Sequence, residues 1–331
     1  MEPSKFVRCA AMAGLLLATT AALPGDRSAT FNGAADVSDL RALEAALAQE
    51  TNVDAAIEYY APNAVLVNVT APGWQAGRFQ VRKALAARLG GVQRIDARFD
   101  ELNVASNGTL ACTAGVVRYQ ATMKDGRSDT MAVRQLTAWR KLGSNWRIVQ
   151  QQVSVPADMA TGQARFDAPY SARPALAWAS VAPAERQSIP GAMRDIREWL
   201  KENIIPITVD GALATYGPSN DIIVYDVASL GGHRGLDQLR AYFGPMLGGV
   251  ERFEYKIPAL SIDTDGLMGV QISRLDLKMN MKKGPPQYIS FRQSDCLRRI
   301  GDKWFPFFEM GSFPIDPATG KAIMARPEVF R

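Results

Sequence analysis

Leu40, Leu43 and Leu47 recur at helical spacing, and Met193, Ile196 and Leu200 do the same much further along the chain. Each set predicts an amphipathic helix with one apolar stripe turned toward a core. A short helix is then predicted to end at a Tyr-x-Pro element, Tyr60–Pro62 in one place and Tyr216–Pro218 in the other, where proline stops it. A strand follows ("AVLVNV", "IIVYDV"), then a glycine turn and another helix, Arg78–Leu89 and Leu236–Leu247. Beyond these helices the text alternates and is rich in β-branched and aromatic residues, with "KDG" at Lys124–Gly126 and "KKGPP" at Lys282–Pro286 as hairpin turns. Helices first and antiparallel strands afterwards predict an α+β unit.

The pattern occurs twice because the sequence does. Gly77–Pro169 aligns with Gly235–Pro327 at an offset of 158 residues without a gap, and 26 of the 93 positions are identical. "LGGVQRI" (Leu89–Ile95) matches "LGGVERF" (Leu247–Phe253), and "SVPADMATGQA" (Ser154–Ala164) matches "SFPIDPATGKA" (Ser312–Ala322). Upstream the offset becomes 156, pairing "DLR" at Asp39–Arg41 with "DIR" at Asp195–Arg197, through a two-residue insertion in the second copy. A register held this long is a tandem duplication. The expected domains are residues 37–169 and 192–327, joined by an Ala-, Pro- and Ser-rich linker over 170–191.

The order of elements, the "YxP…strand…Gly…helix" opening and the "R-x-x-x-x-x-R/K-x-x-G-x-x-W" run before the last strand resemble the SnoaL-like, ketosteroid-isomerase-like (nuclear transport factor 2-like) superfamily. That resemblance implies two tandem cone-shaped α+β domains, each with N-terminal helices packed on a curved, mainly antiparallel sheet. It also implies a cofactor-independent site inside the cone and dimerisation through the outer sheet face, which here would be an intrachain pseudo-dimer. The superfamily holds isomerases, cyclases, lyases and non-catalytic members, so the fold alone assigns no activity.

Composition removes several classes. The formal net charge of +5 is spread along the chain, with no clustered basic stripe for nucleic acid. There is no GxSxG, Walker A or dinucleotide fingerprint. The single histidine and scattered cysteines make no usual zinc site, so the expectation is no metal and no cofactor. Lys5 and Arg8 followed by apolar Cys9–Pro24 read as a signal peptide of residues 1–22, with an uncleaved anchor as the alternative. The expected location is periplasmic or secreted, with no stable membrane span after processing. Cys112 and Cys296 remain, one per repeat; both read as small buried hydrophobes, with a single bridge open to them in an oxidising compartment.

The candidate chemistry is asymmetric. By resemblance to ketosteroid isomerases, Asp226 stands where the family places its catalytic base and Asp295 where it places a neutral oxyanion donor. The first copy has Asn68 and Thr137 at those places. Abstraction of a proton beside a carbonyl needs one ionised carboxylate and one donor that burial keeps neutral. Strand alternation puts Phe291, Gln293 and Asp295 on one face and Arg292 and Arg298 on the other, toward solvent or a domain interface. Gln293 and its counterpart Gln135, with Trp199 in place of the family's tyrosine donor, Tyr225 and Asn68, complete the expected binding residues. Glu309 reads as a surface residue and His233 as an exposed loop histidine. Two functions follow as expectations. One is binding of a small hydrophobic or aromatic molecule, with acid–base isomerase or lyase chemistry in the second domain. The other is a non-catalytic ligand-binding or assembly module of the same fold.

Overall fold

The computed structural model describes residues 33–70, 73–168, 170, 173–176, 184–325 and 327–330. The expected signal peptide at 1–22 and part of the expected linker lie outside the described residues. The first repeat runs α1 (Ala34–Gln49), α2 (Val53–Ile57), β1 (Tyr60–Val67), β2 (Trp74–Ala76), α3 (Arg78–Leu89), β3 (Val92–Ser106), β4 (Leu110–Met123), β5 (Ser128–Leu142) and β6 (Asn145–Ser154). The second repeats the order: α4 (Ile189–Ile204), α5 (Val209–Ala214), β7 (Ile223–Tyr225), β8 (His233–Arg234), α6 (Gly235–Gly248), β9 (Val250–Thr264), β10 (Met268–Met281), β11 (Gln287–Ile300) and β12 (Lys303–Ser312). Each repeat folds its strands into a six-stranded sheet of identical order, β2-β1-β6-β5-β4-β3 and β8-β7-β12-β11-β10-β9. All neighbours are antiparallel except β1 with β6 and β7 with β12. These are the two tandem α+β units expected.

Local signals explain the boundaries. Asn52 caps α2 by accepting from the N–H of Asp54 at 2.8 Å, and the Thr208 hydroxyl caps α5 by accepting from Gly211 at 3.1 Å. Proline plays a different part from the one expected. The α2 helix stops at Ile57, and Pro62 lies inside β1, where pairing with β6 is interrupted between Tyr60 and Val65. A residue without an N–H is tolerated there because that stretch makes no ladder.

The inner face of each sheet packs on its own helices. In the first repeat Leu40, Leu47, Val81 and Leu85 meet Val104, Trp139 and Ile148. In the second, Ile196 and Leu200 meet Leu275 and Leu297. The outer faces pack on each other: Leu110, Val116, Leu136 and Val149 share one buried cluster with Ile223, Val270, Phe307 and Phe308. At its centre Cys112 and Cys296, 184 residues apart in sequence, form a disulfide. The cysteines are therefore not the free buried hydrophobes of the first reading; stacking two curved sheets brings β4 of one repeat against β11 of the other.

The repeated endings also meet. Ala157 donates its N–H to Val227 O and Ile315 donates to Val69 O, both at 3.0 Å, so each ending crosses to the strand-end loop of the other repeat. The two "ATG" turns then pair with one another, Ala164 N–H to Gly320 O at 3.1 Å and Ala322 N–H to Gly162 O at 2.7 Å. Two buried arginines repeat this exchange. Arg134 of β5 donates to the carbonyls of Asp226 and Ser229, the latter at 2.8 Å. Arg292 of β11 donates to Asn68 O and to Phe313 O, the latter at 2.8 Å. Gly73, at φ +72°, is needed beside Arg292, because a side chain there would collide with the guanidinium. Burial lowers the Arg134 pKa to about 10 and that of Arg292 to about 9. Of the two faces open to Arg292 and Arg298, solvent is excluded. Both are buried, and Arg298 pairs with Asp221 at 2.8 Å.

Candidate functional site

A cavity of about 410 Å³ opens inside the second repeat, between its helices and the inner sheet face. Its wall includes Leu275, Leu277, Phe291, Phe243 and Phe253, and Asn203, Tyr216, Tyr242, Gln293, Glu309 and Asp226 are its polar side chains. Glu309 comes from β12 and stands directly across the ladder from Asp295 of β11. Tyr216 reaches it from the turn after α5, donating its hydroxyl to Glu309 Oε2 at 2.8 Å.

Asp295 lies behind this wall with no exposure at all. Its Oδ2 accepts from the amides of Gln271 and Gln293, the second at 2.9 Å, while Oδ1 receives no donor. The Asp295 and Glu309 carboxyls, directly paired across the ladder, act on each other's ionisation. Burial raises the pKa of Asp295 well above the carboxylate range, and the neighbouring Glu309 charge raises it further. Burial also lifts Glu309 to about 7, although the hydrogen bonds from Tyr216 and Asp295 pull the other way. Two adjacent carboxyls in an apolar site cannot both ionise at low cost, so they share one proton. Asp295, the more deeply buried, holds its proton more strongly, and Glu309, which faces the cavity, exchanges its own near neutrality.

Asp226 does not share that arrangement. Its carboxylate accepts from the N–H groups of Ala228 (2.6 Å) and Ser229 (2.7 Å), from the Ser229 hydroxyl (2.8 Å) and from His233 Nε2 (2.6 Å). Burial pushes its pKa up, but the bonds from His233, Ser229 and Ala228 outweigh it and hold the group at about 2. A carboxylate with every lone pair engaged and so low a pKa is a weak base. Asp226 lines the cavity and Asp295 does not, so the two expected partners do not converge on one ligand. His233 is not an exposed loop residue. It is half-buried, bonded to Asp226 and stacked on Tyr242 with ring centroids 4.5 Å apart.

The remaining expected residues divide sharply. Gln293 is on the cavity wall and orients Asp295. Trp199 packs into the α4 core and donates its N–H to Thr215 O at 3.3 Å, which removes it as a ligand donor. Tyr225 is among the residues that line the cavity, but its ring packs in the inter-repeat cluster and its hydroxyl is donated to Glu101 at 3.2 Å. Asn68 holds the first repeat's strand-end turn through its backbone, donating to Gly73 O at 2.8 Å. Gln135 is buried against Glu44 of α1, donating to its Oε2 at 2.6 Å. Thr113 and Trp139 also donate to that carboxylate, Trp139 at 3.0 Å, and Tyr60 bonds Gln151 close by. The first repeat thus fills with hydrogen-bonded side chains the interior that the second leaves open.

Sequence reasoning missed Glu309 and Tyr216. A cross-strand count back from the "GDKW" turn puts Phe308 opposite Asp295, one residue short of Glu309. The bulge between Cys296 and Leu297 makes up that residue. The aligned residues Thr137, Gln151 and Tyr60 show that only the second copy carries both acids.

Residues 38–158 match the family model of the SnoaL-like domain. No curated protein matches the chain. Among solved structures, a nuclear transport factor 2-like protein of unknown function from Pseudomonas putida is 20% identical, with a TM-score of 0.37, over 42% of this chain and 99% of its own. A nuclear transport factor 2-like superfamily protein from Salmonella enterica is 16% identical over 39% of this chain and 98% of its own, with a TM-score of 0.34. A ketosteroid isomerase-like protein from Erwinia carotovora is 17% identical over 36% of this chain and 91% of its own, with a TM-score of 0.30. The family match spans the first repeat, and the second keeps the same register and strand order. The first repeat thus matches the SnoaL-like family, and the second repeats its order of elements.

Proposed function

We propose that the second repeat binds a small, neutral, hydrophobic molecule and moves a proton on it without a cofactor, with Glu309 as the exchanging group. The observation behind this is the position of Glu309, poised at about 7 on the wall of an apolar cavity and backed by Asp295 and Tyr216. A base of that strength is half ionised at neutral pH and still accepts a proton readily. In an isomerase or lyase step, Glu309 Oε takes the proton from a carbon next to a carbonyl. The resulting oxyanion needs a neutral donor. Tyr242 lines the same cavity, and burial first, then Asp226 and Glu309, keep its hydroxyl protonated. Asp226 keeps the adjoining loop in shape and takes no proton.

The test is exchange of α-hydrogen for solvent deuterium in a panel of hydrophobic ketones and enones, run on wild type and Glu309→Gln. Exchange by wild type that falls at least a hundredfold in the variant supports the reading. Equal exchange by both removes Glu309 from the chemistry. Binding without exchange in either favours the non-catalytic alternative. We also place the protein in an oxidising compartment outside the cytoplasm, on the strength of the buried Cys112–Cys296 bridge. None of the helices in the described residues is long and apolar enough to cross a membrane.

A further inference from the structure

The wall of this cavity is not made by the second repeat alone. Met159 belongs to the ending of the first repeat, is 49% exposed, and lines the cavity in company with Met246 and Val227. Its loop is fixed on both sides. Ala157 N–H is bonded to Val227 O at 3.0 Å, directly on the cavity wall. Asp158 Oδ1 then closes the turn by accepting from Ala160 N–H at 3.0 Å and Thr161 N–H at 2.8 Å. Arg134 ties the facing stretch to the same repeat through Ser229 O. The thioether is thus a flexible, apolar side chain carried on a pinned backbone at a cavity mouth.

The duplicated text sharpens the point. The endings "ADMATG" and "IDPATG" keep the aspartate, alanine, threonine and glycine of the turn, and Met159 corresponds to Pro317. Met159 stands over an open interior. Pro317 belongs to the ending that crosses to the first repeat, whose interior is occupied by the Glu44 network. The two endings differ at Ala157/Ile315 and at Met159/Pro317, and of these Met159 is the one that faces the open cavity.

We infer that Met159 is a specificity-determining residue of the second repeat's site, a side chain lent by the first repeat that closes over the outer end of a bound hydrophobic molecule. This rests on the reading of that cavity as the binding site. The first repeat therefore does for the second what a partner subunit would do, and neither repeat holds a complete site alone.

The probe is N-phenyl-1-naphthylamine, a neutral apolar fluorophore, titrated into the full mature chain. The proteins are wild type, Met159→Ala, Met159→Trp and, as a control, Leu142→Ala, another part-exposed apolar residue of the first repeat that does not line the cavity. Met159→Trp fills the mouth and is expected to weaken the probe about tenfold, the scale of one reshaped apolar contact. Met159→Ala removes the cover and raises the dissociation rate severalfold, while Leu142→Ala matches wild type. Because Met159 is exposed, all four proteins should melt together. Wild-type binding that both Met159 variants share unchanged overturns the inference and leaves the cavity reading standing. No uptake by any of them overturns the cavity reading and this inference with it.

Discussion

A carboxylic acid on an apolar wall ionises only when its neighbours take up part of the cost of the charge. At Glu309 they do so in part, and the group rests near 7 instead of near 4. The sign of its effect on stability follows. The folded protein holds the Glu309 proton up to about pH 7, whereas the unfolded chain releases it near 4, so folding stability falls as pH rises between them. The melting temperature of wild type should therefore decline from pH 5 to pH 8, and Glu309→Gln should make that decline shallower, leaving the part that buried Asp295 contributes. A parallel decline in both proteins would place the titration elsewhere. Asp226 works in the opposite direction. Its pKa of about 2 stabilises the fold above the ordinary carboxylate range by roughly 2–3 kcal/mol, and this is lost as pH falls toward 2. Asp226→Ala should cost a similar amount in chemical denaturation while leaving deuterium exchange into a substrate within a few-fold of wild type.

Elements carried most of what could be read in the sequence, and single side chains least. Periodicity located α1 and α4, and alternation located the long strands, because burial on one face imposes those spacings. The same alternation failed at β7, which lasts only for Ile223–Tyr225. Asp226 lies just past its end, where a turn closed on its own carboxylate, not the pleat, decides where the side chain points. Family position puts Trp199 at the site, yet α4 turns it into its own core, and Tyr225 touches the cavity while its ring faces the inter-repeat cluster. The link between β5 and the 226–229 turn was also invisible, since it joins residues of different repeats. It makes a prediction at this scale. Arg134→Met leaves the carbonyls of Asp226 and Ser229 without their buried donor, costing on the order of 3 kcal/mol. Amide exchange at Ala228 and Ser229 should accelerate well before the global core opens. Uniform acceleration across both sheets would mean that Arg134 holds the whole interface and not this loop.

Across the whole molecule the duplication gives two sheets that pack face to face, two endings that exchange places and two interiors with different contents. A domain of this size buries enough apolar surface to fold, so the second copy is not required for a core. It supplies an outer face for the first sheet to cover and one half of a cross-link, while the first copy lends its cavity one edge. The disulfide spans 184 residues, which the chain-entropy relation converts to roughly 5 kcal/mol, with measured bridges usually giving 2–4. Cys112→Ala with Cys296→Ala should lower stability by that order and still give a folded protein, because the surrounding apolar cluster remains. Intact mass of the purified protein, two hydrogens below the fully reduced value, would show the bridge; the reduced mass would remove the argument for an oxidising compartment.

The carboxyl pair is the centre of this reading, and it can be examined before any substrate is known. Carbon-13 NMR of the side-chain carboxyls of Glu309 and Asp295, assigned with Glu309→Gln and followed from pH 3 to pH 9, measures it directly. Glu309 should titrate near 7, with Asp295 still protonated beyond that point and shifting in step with it. A Glu309 that titrates near 4, independently of Asp295, would contradict the shared proton and the chemistry built on it.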